Sequence, residues 1–149
     1  MKPWNWQARV YYEDTDAGGI VFYANYLRYF ERARTEWLRH LGHDHVRMRQ
    51  DLGLIFVVKE LHVNYHRPAK LDDMVQLGVK LRVLKRASLS LEQTAYLQAN
   101  PQDEPIMLAS AEIRLACLNA QALKPMALPK EIYSSLACWA PTQDLTALT

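Results

Sequence analysis

Apolar residues recur along this chain with two different periods. From Tyr23 onward the spacing is three and four: Tyr23, Tyr26, Leu27, Phe30, Ala33, Trp37, Leu38 and Leu41, with Arg28, Arg32, Glu36 and Arg39 between them. One wide apolar stripe with a charged back predicts an amphipathic helix. Fully burying each large side chain on the stripe stabilises by roughly 1.5–3 kcal/mol, so this helix must lie on a core. Gly42 stands where a helix-ending glycine belongs, after Arg39 and His40. His43 to Leu52 reads as a second, shorter helix or an irregular connection that ends near Gly53.

Beyond Gly53 the period drops to two. Met74 to Val83 sets Val75, Leu77, Val79, Leu81 and Val83 on one face and Gln76, Lys80 and Arg82 on the other. Phe56–Tyr65, Ser88–Leu97 and Met107–Leu118 also read as strands, and the last two repeat the alternation. The links Leu84–Ala87 and Gln98–Pro105 are short or turn-rich, so the strands they join are antiparallel neighbours. A shorter strand, Gln7 to Glu13, precedes the helix, with Trp4 and Trp6 expected to cover the sheet edge. After Leu118 the pattern predicts a short helix near Lys130–Leu136 and a loose tail from about residue 138. The fold class is therefore α+β: one long helix against a single antiparallel sheet, in one domain spanning 1–149.

Composition adds limits. Of the 149 residues, 50% are hydrophobic and 23% charged, a globular balance that excludes a disordered or fibrous chain. A chain this long buries about two-thirds of its unfolded surface, enough to fold without a metal or disulfide staple. The net charge of +2 is too small to imply nucleic acid or an anionic membrane as the main partner. No apolar run is long enough to span a bilayer, and the first residues lack a signal-peptide core. Cys117 and Cys138 match no zinc or disulfide pattern and read as buried thiols in a reducing compartment. The expectation is a cytoplasmic protein.

Candidate chemistry concentrates in Tyr12-Glu13-Asp14-Thr15-Asp16-Ala17-Gly18-Gly19, just ahead of the long helix. A helix start presents unpaired backbone N–H groups and a partial positive charge, which suits a developing oxyanion. A carboxylate held nearby can attack a carbonyl or take a proton from water. The competing structural reading is that Asp14 and Asp16 shape an Asx turn, and on spacing alone that reading is favoured two to one, roughly.

The run Arg9-Val10-Tyr11-Tyr12-Glu13-Asp14-Thr15-Asp16-Ala17-Gly18-Gly19-Ile20-Val21 resembles the signature of the 4-hydroxybenzoyl-CoA thioesterase branch of the hotdog-fold superfamily. Tyr26-Leu27, Phe30 to Glu36, Pro68 to Asp73 and Met126 to Lys130 resemble the YbgC-type acyl-CoA thioesterases within it. The resemblance runs from about Arg9 to about Ile132. It implies a long helix wrapped by an antiparallel sheet, a homo-oligomer (dimer or tetramer), and hydrolysis of acyl-CoA without metal or cofactor. It assigns the catalytic carboxylate to Asp16, the oxyanion donor to the backbone N–H of Tyr23 and a structural role to Asp14. Gly19 belongs to the same turn and is assigned to substrate binding. Lys85 and Arg86 fall in a turn that is basic in relatives and approaches the CoA phosphates. YbgC-type relatives are also associated with the Tol-Pal envelope system. One departure stands out: many YbgC-type sequences carry a histidine where this chain has Tyr23.

Weaker candidates complete the reading. Lys70 is a poorer phosphate contact than Lys85. His43 and His45 are too few for a metal site. His62 and His66 are expected to face solvent or a partner subunit, and Glu31 to form a surface ion pair with Arg28 or Arg34. Two rival functions remain. An acyl-dehydratase would need a histidine at the helix start. A module docking acyl carrier protein would use Arg28, Arg32, Arg39 and Arg47 as its basic face.

Overall fold

The computed structural model describes residues 4–141. Five strands form one antiparallel sheet: β1 (Trp4–Arg9), β2 (Leu54–Tyr65), β3 (Met74–Leu84), β4 (Ser88–Leu97) and β5 (Ile106–Asn119). Their spatial order is β1-β3-β4-β5-β2. The links of β3 to β4 and of β4 to β5 are hairpins, as their turn residues predict. The chain leaves β1, crosses through the helices and returns at the far edge as β2, which pairs with β5.

The long helix, α1 (Asn25–His40), lies over β1, β3 and β4. Its stripe of Tyr26, Tyr29, Phe30, Ala33, Trp37 and Leu38 is buried against Leu77, Leu81 and Leu91 of the sheet. Gly42 takes φ +93°. Its N–H reaches Arg39 O at 2.9 Å and that of His43 reaches Leu38 O at 2.9 Å, the paired bonds of a Schellman ending. The second helix, α2 (His45–Leu52), is capped by Asp44, whose carboxylate accepts from the Arg47 N–H at 2.8 Å. A last helix, α3 (Lys130–Ala137), closes one end of the core with Ile132 and Leu136. Among the described residues no helix is long and apolar enough to cross a membrane.

Several local expectations need correction. The first strand ends at Arg9, not Glu13, because the Asp14 carboxylate captures the Tyr11 N–H at 2.9 Å and bends the chain into a 3-10 turn. Trp4 and Trp6 belong to the edge strand itself and pack on the core, with Trp4 ring-on-ring against His40 at 6.0 Å. The register shifts between Leu81 and Val83, so Leu84 is buried in place of Val83. Glu31 accepts from the Thr35 hydroxyl at 2.9 Å and makes no ion pair among the described residues. Cys117 is buried, but Cys138 is exposed. Trp139 falls where the tail was expected, yet it is buried against Trp37. The threonines that suggested a loose tail lie outside the described residues.

One polar pair is built into the core. Gln93 occupies a core-facing position between Leu91 and Ala95 and is fully buried. Its amide donates to Phe30 O at 3.0 Å, and the Arg34 guanidinium donates to its Oε1 at 3.0 Å. Burial lowers the pKa of Arg34, which Gln93 partners.

Candidate active site

The two aspartates between β1 and α1 hold different positions. Asp14 is buried, and its Oδ2 accepts from the Tyr11 N–H at 2.9 Å and the Tyr29 hydroxyl at 2.8 Å. Its backbone carbonyl accepts from the Phe22 N–H at 3.0 Å and Asn25 Nδ2 at 2.7 Å. Asp14 therefore ties the loop to the first turn of α1. Burial, and then the hydrogen bond to Asp14, raise the Tyr29 pKa well above the usual tyrosine range, so its phenol stays a donor.

Asp16 is exposed at the tip of the loop. Thr15 bridges Val21, the Asp16 N–H reaches Ile20 O at 2.9 Å, and the Gly19 N–H reaches Asp16 O at 3.0 Å. Its Oδ1 accepts from the Gly18 N–H at 2.8 Å, an Asx turn. Among the described residues its Oδ2 has no partner. Both glycines are explained by this geometry. Gly19 sits at φ +79° with open space around it. A Cβ on Gly18 would stand 3.2 Å from Asp16 Oδ1. The Asx-turn reading thus holds for Asp16 and leaves its outer oxygen available for chemistry.

Tyr23 lies just before the helix and is 62% exposed. No side chain caps α1, and among the described residues the N–H groups of Tyr23 and Ala24 have no acceptor. These are free donors at the positive end of a 16-residue helix.

The facing wall is the crossover from β2 to β3. The Val21 N–H donates to Ala69 O at 2.9 Å, Ile20 bridges Lys70, and the Ala69 N–H donates to the Tyr26 hydroxyl at 3.1 Å. Burial is the main cause of the raised Tyr26 pKa. Between the walls is an open cleft of about 230 Å³ lined by Ile20, Val21, Tyr23, Tyr26, Tyr65 and Pro68 among others. The Tyr23 and Tyr65 rings meet edge to face at 6.0 Å, and Tyr26 and Tyr65 lie 5.8 Å apart at 59°. A larger hollow of about 690 Å³ lies on the solvent face of the sheet; Arg114 pairs there with Glu60 at 2.6 Å and Arg82 with Glu92 at 3.4 Å, while Glu112 in its lining makes no ion pair among the described residues.

Lys85 and Arg86 are exposed in the β3–β4 turn. The Asp16 loop packs beside the other end of β3, where Arg9 pairs with Met74. β3 has 11 residues, so about 35 Å of strand separates the two sites within one chain. His62 and His66 are exposed, and His66 Nε2 lies 3.0 Å from Ser110 Oγ. Asn25, Tyr29 and Tyr65 escaped the sequence reading. The signal for the first two was present: four residues apart, they share the helix face that looks onto Asp14.

Residues 10–136 match the model of the thioesterase-like superfamily. The chain belongs to this superfamily. It is 44% identical over 124 residues to the acyl-CoA thioesterase YbgC of Haemophilus influenzae, covering 83% of this chain and 87% of that protein. It is 39% identical over 127 residues to the acyl-CoA thioester hydrolase YbgC of Escherichia coli, covering 85% of this chain and 90% of the relative. The crystal structure of a probable thioesterase from Bartonella henselae superposes with a TM-score of 0.78 at 33% identity, covering 86% of this chain and all of that one. The helix wrapped by its sheet is thus the hotdog fold of the thioesterase superfamily, as the sequence resemblance implies.

Proposed function

We propose that this protein hydrolyses acyl-CoA thioesters, with Asp16 as the catalytic carboxylate and the Tyr23 N–H as oxyanion donor. The observation that carries the activity is the extended identity with relatives named for that reaction. The unpaired amide of Tyr23 and the free Oδ2 of Asp16, carried on one loop-helix unit, support the assignment of roles.

The chemistry follows from these groups. The thioester carbonyl oxygen accepts from the Tyr23 N–H, which stabilises the charge that builds on it during attack. Asp16 acts by one of two routes. As nucleophile its Oδ2 bonds to the carbonyl carbon, the C–S bond breaks, and water cleaves the resulting anhydride. As general base it takes a proton from water, which attacks directly. Both routes release free acid and CoA. Gly19, with no side chain, leaves the backbone of the turn open to the thioester.

A second copy of the chain completes this scheme. β2 is an edge strand with Val58, Leu61 and Tyr65 exposed, and pairing it with the same strand of a partner gives a dimer. A CoA arm laid across that boundary has its phosphates at Lys85 and Arg86 of one subunit and its thioester at Asp16 of the other.

The test is a hydrolysis panel of short, long and aromatic acyl-CoAs, with Asp16→Asn as control and an acyl carrier protein pull-down beside it. Turnover that vanishes in the variant supports the reading. Carrier protein binding with no turnover of any thioester overturns it. Single-turnover hydrolysis in H₂¹⁸O that leaves label in Asp16 establishes the nucleophilic route with water attacking the Asp16 carbonyl, since the general-base route and attack on the acyl carbonyl both put the label in the product acid.

A further inference from the structure

We propose that Asn25 is a positioning residue for hydrolysis: its side-chain amide holds the loop that carries Asp16 in register with the helix start that carries the Tyr23 N–H. The inference rests on the thioester-hydrolase reading and adds to it a residue that touches neither substrate nor reacting atoms.

One carbonyl joins the two halves of the site. Asp14 O accepts from the Phe22 N–H at 3.0 Å and from Asn25 Nδ2 at 2.7 Å. Asp14 stands two residues before Asp16, and Phe22 stands directly before Tyr23. The segment between them is closed on itself, with Thr15 bridging Val21 and the Asp16 N–H on Ile20 O at 2.9 Å. The carrier of the carboxylate and the carrier of the free amide therefore converge on Asp14 O.

Asn25 fixes the angle at which they meet. A single backbone bond, from the Phe22 N–H, leaves the loop a pivot. Asn25 adds a second bond to the same carbonyl from the first residue of α1. Its own N–H is held by Phe22 O at 2.8 Å, so Asp14, Phe22 and Asn25 form a closed triangle. The residue is 6% exposed, which keeps water from competing for the bond. An asparagine at a helix start often turns its side chain onto the helix amides. Here the side chain is directed onto the loop, and α1 is left without a side-chain cap. The Tyr23 amide stays open as a result.

The fold does not depend on this amide. Without it Asp14 O still has the Phe22 N–H, so no buried carbonyl is stranded. The Asp14 carboxylate still holds the Tyr11 N–H and the Tyr29 hydroxyl. What is lost is alignment, and a misplacement of about 1 Å between reacting groups costs about a hundredfold in rate.

The test uses full-length protein and the acyl-CoA that the wild type turns over fastest. Rates are measured for the wild type, Asn25→Ala, Asn25→Asp, Asp16→Asn and the double variant Asn25→Ala with Asp16→Asn. Circular dichroism melts report folding, and calorimetry with S-hexyl-CoA, a thioether with no carbonyl, reports binding. Asn25→Ala should fold and bind the thioether within about twofold of the wild type, with kcat reduced at least about tenfold and KM changed at most about twofold. Asn25→Asp keeps the shape but sets a carboxylate against Asp14 O, and its kcat should fall at least as far. With Asp16 already replaced, Asn25→Ala should cost at most about twofold more, because alignment no longer matters. Wild-type kcat in Asn25→Ala, or an equal loss with and without Asp16, overturns the proposal. So does failure of Asn25→Ala to fold, which would make the amide a structural tie. Those results leave the hydrolase reading standing. A wild type that binds S-hexyl-CoA but turns over no acyl-CoA overturns the hydrolase reading itself.

Discussion

The Tyr29 hydroxyl donates to Asp14 Oδ2 at 2.8 Å, with both residues buried beneath the loop that carries Asp16. This bond joins the second turn of α1 to a loop residue that itself holds the amides of Tyr11 and Phe22. Tyr29→Phe keeps the ring and removes the donor. It is expected to cost about 1–3 kcal/mol of unfolding free energy, the cost of stranding a buried polar partner. Urea denaturation of the two proteins checks this, and a loss under about 0.5 kcal/mol would count against the tie.

Asp16 carries a different expectation, because it is exposed and its carboxylate is held by one turn amide. Asp16→Asn retains an oxygen for the Gly18 N–H, so the fold and melting temperature should hold. Hydrolysis should fall at least about a hundredfold, the low end for losing a positioned acid–base group. Circular dichroism melts alongside steady-state rates give both readouts. Near-normal turnover would move the catalytic role elsewhere.

The adjacent glycines should fail in different ways. Gly18→Ala places a methyl group 3.2 Å from Asp16 Oδ1, so it should disturb activity more than stability. Gly19→Ala meets no atom but must hold φ +79°, which costs about 1–2 kcal/mol in the left-handed region. Measuring kcat/KM and denaturation midpoint for both variants tests the split. Identical profiles would refute it.

Cys117 supplies a pH dependence. Burial raises its thiol pKa from 9.0 to about 11. Below pH 9 native and unfolded chains both hold the proton, and the stabilisation is fully present. Between pH 9 and 11 the unfolded chain releases it first, so stability falls as pH rises through that window. Two units correspond to about 2–3 kcal/mol. Denaturation of the wild type and Cys117→Ala at pH 8 and pH 11 isolates this contribution, which should vanish in the variant. A thiol reagent at neutral pH should label only the exposed Cys138 until the protein unfolds.

Much of this architecture is legible from spacing alone. The stripe from Tyr26 to Leu38 and the ending at Gly42 mark α1, because burial of one helix face leaves a periodic record. The alternation of β3 to β5 is equally plain, and Ser88–Leu97 matches its strand end for end. What escaped depends on contacts far apart in sequence. Nothing near Leu54 announces a partner at Asn119. The core position of Gln93 follows the period-two rule, yet its meaning appears only with Phe30 and Arg34 beside it. At the site, the pattern marked the loop from Asp14 to Tyr23. Spacing alone did not separate the two aspartates; the family resemblance assigned them different roles, and their difference in burial comes from Tyr29 and Asn25 reaching back across the fold.

The strand order also sets a timetable for the nascent chain. β1 and β2 are synthesised first, yet each pairs only with a later strand, β1 with β3 and β2 with β5. Leu54 waits for Asn119 and Tyr65 for Ala109. A ribosome that has released residues up to about 105 therefore holds a helix pair, the three-strand fragment β1-β3-β4 and one orphaned strand. Sheet closure comes only with β5, so folding during synthesis is late and all at once, and the exposed β2 is the segment that a chaperone would meet.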